Sequence, residues 1–162
     1  MSKKVILWGA TGLAKVLWEI LSYDGHEVVA VFDNNSNVKE LSPIKKAPVY
    51  HGEEGFMQWR KSGAWDNQEI YGIVAVGGSR GRDRHEIQDF FIRNGVKPYT
   101  AIHPRAFVSR DASLGVGCQV MANAAVASEA VLGDACIVNT SANVDQSPQR
   151  QLRRRGARAG SA

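Results

Sequence analysis

Three short stretches of this 162-residue sequence carry residues that could hold an anion against the backbone. Gly9-Ala10-Thr11-Gly12 follows one apolar run, Asp33 closes a second, and Gly77-Gly78 follows a third. Glycines let backbone N–H groups approach a phosphate closely, and a helix N-terminus after the turn favours negative charge. A carboxylate at a strand end can accept hydrogen bonds from ribose hydroxyls or from a base edge. Asp33 lies 24 positions after Gly9, close to the offset such a site needs. Other readings stay open. Gly9 and Gly12 form only G-x-x-G, which a tight turn alone would also require, and Asp33 would serve equally as a helix cap or a solvated turn residue.

These residues must be positioned by strands and helices, and the hydrophobic pattern supplies them. Val5 to Trp8 reads as a strand buried on both faces. Leu13, Val16, Leu17, Ile20 and Leu21 recur at helical spacing up to Tyr23. His26 to Phe32 is a second strand and Tyr71 to Val76 a third. A helix over Asp83 to Asn94, closed by Gly95, follows, then a short strand near Val96 to Thr100. The segment from Asn34 to Asn67 says less: Ser42-Pro43 and Ala47-Pro48 mark turns, and Trp59 and Trp65 read as packing residues beside a short helix. This order predicts a parallel α/β sheet of Rossmann-like type over 1–101, with ligand groups at the carboxyl edge of its strands. Roughly 100 residues is small for a complete dinucleotide fold, so a mononucleotide or nucleotide-sugar fits better than NAD.

The second half carries a six-residue repeat. Ile102, Val108, Leu114, Val120, Val126, Leu132, Val138 and Val144 each fall six after the last. Four positions after each of the first seven stands a small residue: Ala106, Ala112, Cys118, Ala124, Ala130, Cys136 and Ala142. Hexapeptide repeats mark a parallel β-helix. Three repeats make one triangular coil in the left-handed form, with the aliphatic residue inward and the small residue at the tight corner. The expectation is a partial left-handed β-helix over 102–147. Cys118 and Cys136, 18 apart, should stack on one face of successive coils. The pattern stops after Val144, and residues 148–162 read as an Arg-rich disordered tail. That break suggests a chain cut or shifted in frame near Asp145, the alternative being a disordered cap.

Composition narrows the function classes. Arg150, Arg153, Arg154, Arg155 and Arg158 all follow the last acid, Asp145. Without those five, 15 of the 20 basic residues remain against 16 acids, so the net charge of +4 belongs to the tail. A nucleic-acid partner is therefore not expected. No apolar run approaches the ~20 residues needed to span a bilayer, and the first residues read as a buried strand, not a signal peptide. A cytoplasmic protein is expected. Two cysteines without clustered histidines predict neither a disulfide framework nor a metal site.

Together, G-A-T-G-L-A-K-V at 9–16, the strand end at Asp33, A-V-G-G at 75–78, I-H-P at 102–104 and I-V-N-T-S-A-N-V at 137–144 resemble one family. It is the sugar O-acyltransferase family of the sialic acid O-acetyltransferase type, which includes the N-acetyltransferases of UDP-4-amino-sugars. The resemblance covers about residues 3 to 145. It implies acetyl-CoA-dependent acetylation of a nucleotide-activated amino sugar, the nucleotide-sugar bound by the first half. It also implies a homotrimer through the β-helix, with acetyl-CoA as co-substrate in a groove between neighbouring β-helices. The implied contacts are Gly9, Ala10, Thr11, Gly12, Asp33, Asn34, Gly77, Gly78 and Arg84, with Asn139 facing the sugar or acetyl site. The family's general base is a histidine in a V-[DE]-H-[DE] context. The matching stretch here is Val144-Asp145-Gln146-Ser147, and Gln146 has no group that titrates. His26, His51, His85 and His103 lie elsewhere. The resemblance therefore leaves no catalytic residue in place. The alternative is a non-catalytic nucleotide-sugar-binding or assembly protein on the same scaffold.

Overall fold

The structure, a computed structural model, describes residues 1–41, 44, 46–65 and 68–146. The expectations for Ser147 and for the tail at 148–162 lie outside the described residues.

The first half is a five-stranded parallel sheet. Its strands are β1 (Lys4–Trp8), β2 (Glu27–Asp33), β3 (Val49–His51), β4 (Ile70–Val74) and β5 (Lys97–Pro98), in the spatial order β3-β2-β1-β4-β5. Three helices flank it: α1 (Gly12–Tyr23), α2 (Gly52–Lys61) and α3 (Gly81–Arg93). Side chains alternate across a strand, so β1 feeds two cores. Val5 and Leu7 pack with Leu17, Ile20 and Leu21 of α1. Ile6 and Trp8 pack on the opposite face with Phe32, Phe56, Trp59, Phe90 and Phe91. That second core is a continuous aromatic cluster. Trp8 meets Phe90 edge-on at 5.5 Å between ring centres, and Phe56 meets Phe90 at 5.0 Å. Such pairs add about 0.5–1.5 kcal/mol each beyond their buried area.

The element boundaries differ from the sequence expectation in instructive ways. The third expected strand ends at Val74, where its ladder with β1 closes: the Ala75 N–H donates the last bond, to Trp8 O at 2.6 Å. β3 went unpredicted; three residues carry too little alternation to be read, and as an edge strand it needs no apolar run. Trp59 is buried at 2% exposure, a packing residue as its surroundings suggested.

From Ala101 the chain winds as a left-handed parallel β-helix of two-residue strands: β6 (Ala101–Ile102), β7 (Phe107–Val108), β8 (Ser113–Leu114), β9 (Gln119–Val120), β10 (Ala125–Val126), β11 (Val131–Leu132), β12 (Ile137–Val138) and β13 (Asn143–Val144). They stack into three faces, β6-β9-β12, β7-β10-β13 and β8-β11. Each rung bonds to the one a coil later: Ala101 N–H to Cys118 O at 2.9 Å, Phe107 N–H to Ala124 O at 2.9 Å, Ser113 N–H to Ala130 O at 2.8 Å. Corners fall at six-residue intervals on residues with positive φ: Gly117 (72°), Asn123 (58°), Glu129 (60°), Ala135 (53°) and Ser141 (59°). These angles lie in the left-handed region that favours glycine, yet four of the five corner residues are not glycine.

The axis is filled by Val120, Ala124, Val126, Ala130 and Val138, all buried. Val108, Leu114, Leu132 and Val144 are half-buried against them. Ile102, expected inward like the others, is 38% exposed. It belongs to the first coil, which has no coil before it to close the axis. Cys118 and Cys136 are free thiols one coil apart, on adjoining rungs. Burial pushes the Cys118 thiol above its usual pKa, which keeps it inert.

Candidate functional site

The site begins with a glycine that no other residue can replace. Gly9 has φ +109°, its N–H donates to Phe32 O at 2.7 Å, and a Cβ built on it would stand 2.4 Å from Ala75 O. The chain leaving β1 is thereby pressed between the ends of β2 and β4. Gly12 differs: a Cβ there would meet nothing within 4 Å, so its bareness leaves open space over the start of α1. Thr11 caps α1 without a side-chain hydrogen bond, and no acid occupies the first turn. The positive end of that helix is unneutralised from within.

Asp33 ties the neighbouring loops to this turn. Its Oδ2 accepts from Ala10 N–H at 2.8 Å and its Oδ1 from Asn35 N–H at 2.8 Å. Each oxygen keeps a further lone pair. The third wall is the loop from β4 to α3, where Gly78 has φ +65°.

These pieces enclose a cleft at the carboxyl edge of β1, β2 and β4. One lobe, about 250 Å³, is lined by Trp8, Gly9, Thr11, Asp33, Asn34, Asn35, Ala75, Val76, Gly77, Arg80 and Ile87. A second, about 600 Å³, shares Trp8, Asn34, Arg80 and Ile87 and runs on past Glu53, Asp83 and Glu86. Arg80 is the one cation on the first lobe; it pairs with Asp83 at 2.5 Å, and its side chain is 66% exposed. An exposed pair like this holds weakly and is readily exchanged for another anion.

Gly9, Thr11, Asp33, Asn34 and Gly77 are thus gathered on one cleft, with Ala10 tied to Asp33 and Gly12 at the adjoining helix start. Gly78 is held from behind, its carbonyl accepting from Arg84. Arg84 itself is not on the cleft. Its guanidinium donates to Ala135 O at 3.0 Å, Val76 O at 3.0 Å and Gly78 O at 3.3 Å. Asn139 lies exposed on the β-helix, its carbonyl closing a turn with Ala142 N–H, and does not line the cleft. Gln146 is exposed, its N–H donating to Asp145 Oδ1 at 2.8 Å. His103 is buried; its Nδ1 accepts from Arg105 N–H at 3.0 Å, a structural bond. Sequence reading missed Arg80 and Asn35. The signal for both was proximity, since each stands two or three residues beyond a glycine or aspartate already singled out.

The α/β unit and the β-helix are welded along the face β6-β9-β12. Ala101 and Met121 enter the α1-side core. Gln119, with no exposed surface, donates its Nε2 to Val74 O at 2.7 Å. Gln88 Nε2 donates to Val116 O at 3.2 Å; on the segment leading into the β-helix, Tyr99 OH donates to Asp24 Oδ2 at the end of α1, at 2.7 Å. The distance from cleft to β-helix is therefore set by packing, not by a linker. No helix among the described residues is long and apolar enough to cross a membrane.

No protein-family model matches the chain, and no curated protein does. Solved structures do. Perosamine N-acetyltransferase from Caulobacter crescentus, in complex with CoA and GDP-perosamine and with one histidine replaced by asparagine, aligns at 31% identity and a TM-score of 0.74, covering 88% of this chain and 63% of that one. The unsubstituted protein in the same complex aligns at 30% and 0.72, with the same coverage. The acetyltransferase domain of PglB from Neisseria gonorrhoeae, in complex with acetyl coenzyme A, aligns at 30% and 0.71, covering 90% of this chain and 66% of that one. The chain spans just under two thirds of the length of these structures.

Proposed function

With hexapeptide-repeat sugar acetyltransferases as its structural neighbours, we propose that this chain binds a nucleotide-linked amino sugar in the cleft at the carboxyl edge of its sheet. The observation that carries this reading is the convergence of Gly9, Thr11, Asp33, Asn34, Gly77 and Arg80 on that cleft. The roles follow from chemistry. The N-terminus of α1, with the bare surface of Gly12, meets the diphosphate. Arg80 leaves Asp83 to neutralise it. Asp33 keeps lone pairs for ribose hydroxyls, and the larger lobe beyond Trp8 has room for the base.

The family's reaction joins an amine nitrogen to the acetyl carbonyl carbon of acetyl-CoA and breaks the C–S bond, with the amine proton passing to a base and the thiolate leaving as CoA. Gln146 stands where the resemblance puts that base, and an amide cannot take the proton. This favours a second element of the proposal: the chain binds the nucleotide-sugar without running transfer at an enzymatic rate. Asn139 would then border the acetyl site on the β-helix. A homotrimer is proposed through the β-helix faces left uncovered by the α/β unit, where Phe107 and Val131 are each 62% exposed. A cytoplasmic setting goes with both ligands.

The test is a panel of GDP, UDP, CMP, dTDP, NAD and acetyl-CoA, each scored by its shift of the melting temperature. A ligand bound only to the native state must raise stability. At least one nucleoside diphosphate should raise it and NAD should not. A shift with NAD alone would sink the reading. Thiol release from acetyl-CoA with GDP- or UDP-linked 4-amino sugars should stay at background; turnover at an enzymatic rate would defeat the non-catalytic element. Light scattering should give three times the 17.7 kDa chain mass.

A further inference from the structure

Arg84 is 9% exposed, and a guanidinium buried to that degree must have its donors met. Carbonyl oxygens meet it on two sides. Nε donates to Ala135 O, at a β-helix corner with φ +53°, and Nη1 donates to Val76 O and Gly78 O, which flank Gly77 on the cleft. A trans peptide is planar, with its N–H opposed to its C=O. Holding the Val76 carbonyl toward Arg84 turns the Gly77 N–H away from it; holding the Gly78 carbonyl does the same for the Ser79 N–H. Among the described residues neither amide donates to a protein acceptor.

We infer that Arg84 is a positioning residue: it aims the unpaired N–H groups of Gly77 and Ser79 at an anionic group in the cleft, and anchors that loop to the β-helix through Ala135. This rests on the nucleotide-binding reading for the identity of the anion, which is a diphosphate. The anchor is reinforced one turn along α3, where Gln88 bonds Val116 O, the same carbonyl that accepts from Ala135 N–H at 2.9 Å. Gln88, however, makes no side-chain hydrogen bond to the loop from Val76 to Arg80 among the described residues. It therefore separates a merely structural contribution to the joint from an effect on the loop.

The experiment compares Arg84→Gln and Gln88→Ala with the unaltered chain. Affinities are measured for the nucleoside diphosphate that binds best in the panel and for its parent nucleoside. Arg84→Gln should weaken the diphosphate tenfold or more and leave the nucleoside within twofold; Gln88→Ala should leave both within twofold. Backbone ¹⁵N order parameters of Gly77 and Ser79, recorded without ligand, should fall below about 0.6 in Arg84→Gln and stay near 0.85 in Gln88→Ala. If Arg84→Gln does not fold, Arg84→Lys takes its place, since an ammonium reaches one carbonyl group and cannot span both sides. Equal diphosphate losses in both variants, or unchanged order parameters in the arginine variant, would overturn the inference. Should the unaltered chain bind no nucleoside diphosphate, the function reading fails, while the order parameters still decide whether Arg84 positions the loop.

Discussion

At the scale of single residues, two glycines that look alike in the sequence do different work. Gly9 is held at φ +109° with Ala75 O where its Cβ would be. Gly9→Ala combines backbone strain with overpacking, and should cost about 3 kcal/mol, seen as a lower urea midpoint. Gly12 has neither constraint. Gly12→Ala should hold or raise the melting temperature, since alanine favours a helix by up to about 1 kcal/mol. If phosphate approaches there, the same change should lower nucleoside diphosphate affinity severalfold. Equal affinity in Gly12→Ala and the unaltered chain would move the diphosphate elsewhere in the cleft. Asp33 carries a similar lesson: its carboxylate already accepts from two backbone N–H groups, so it builds the site before it binds anything.

At the scale of elements, the β-helix shows how burial depends on neighbours along the stack. Val126 sits between Val108 and Val144 on the middle rung and has no exposed surface. Val144, on the last described rung of the same stack, is only half-buried. Val126→Ala should cost about 2 kcal/mol, by lost transfer energy and the cavity left behind; Val144→Ala should cost less than half of that. Chemical denaturation of the two variants checks the ranking, and equal costs would mean that a further coil covers Val144. The turns contribute the opposite term. Glu129, Ala135 and Ser141 hold positive φ at about 1–2 kcal/mol each, tolerated because both flanking rungs over-determine the corner.

At the scale of the whole molecule, polar bonds between distant elements hold the sheet to the β-helix and fix the segment that leads from one into the other. Tyr99, 7% exposed, donates to Asp24 at the end of α1. Burial first, and then this bond to a carboxylate, push its phenol above the ordinary value of 10. The fold thus favours the neutral phenol, so the contribution is present below pH 10 and is lost as pH rises beyond it. Tyr99→Phe should be less stable by about 0.5–1.5 kcal/mol at pH 7, because it removes one hydrogen bond to a carboxylate that water can still reach. Its decline between pH 10 and 11.5 should be shallower than that of the unaltered chain. Parallel declines in thermal unfolding would show that the Tyr99 proton is not linked to folding. Because Met121 and Ala101 share a core with Leu17 and Val31, both halves should lose structure in the same transition.

The sequence by itself determined whatever depends on short-range periodicity. The hexapeptide register was legible from Ile102 to Val144 because an aliphatic every six residues is written locally and repeated in phase. The β1–α1 turn was legible for the same reason, since Gly9 and Gly12 act within four residues of each other. Only the tertiary structure decided the allegiances of side chains whose partners lie far along the chain. Arg84 bonds Ala135, 51 positions away, and Gln119 bonds Val74, 45 positions away. In the sequence the first looks like a cleft cation and the second like one more outward residue of a repeat. The carbonyls that claim them come into reach only when the β-helix docks on the sheet. A buried donor must then find an acceptor, and backbone oxygen was the one available there.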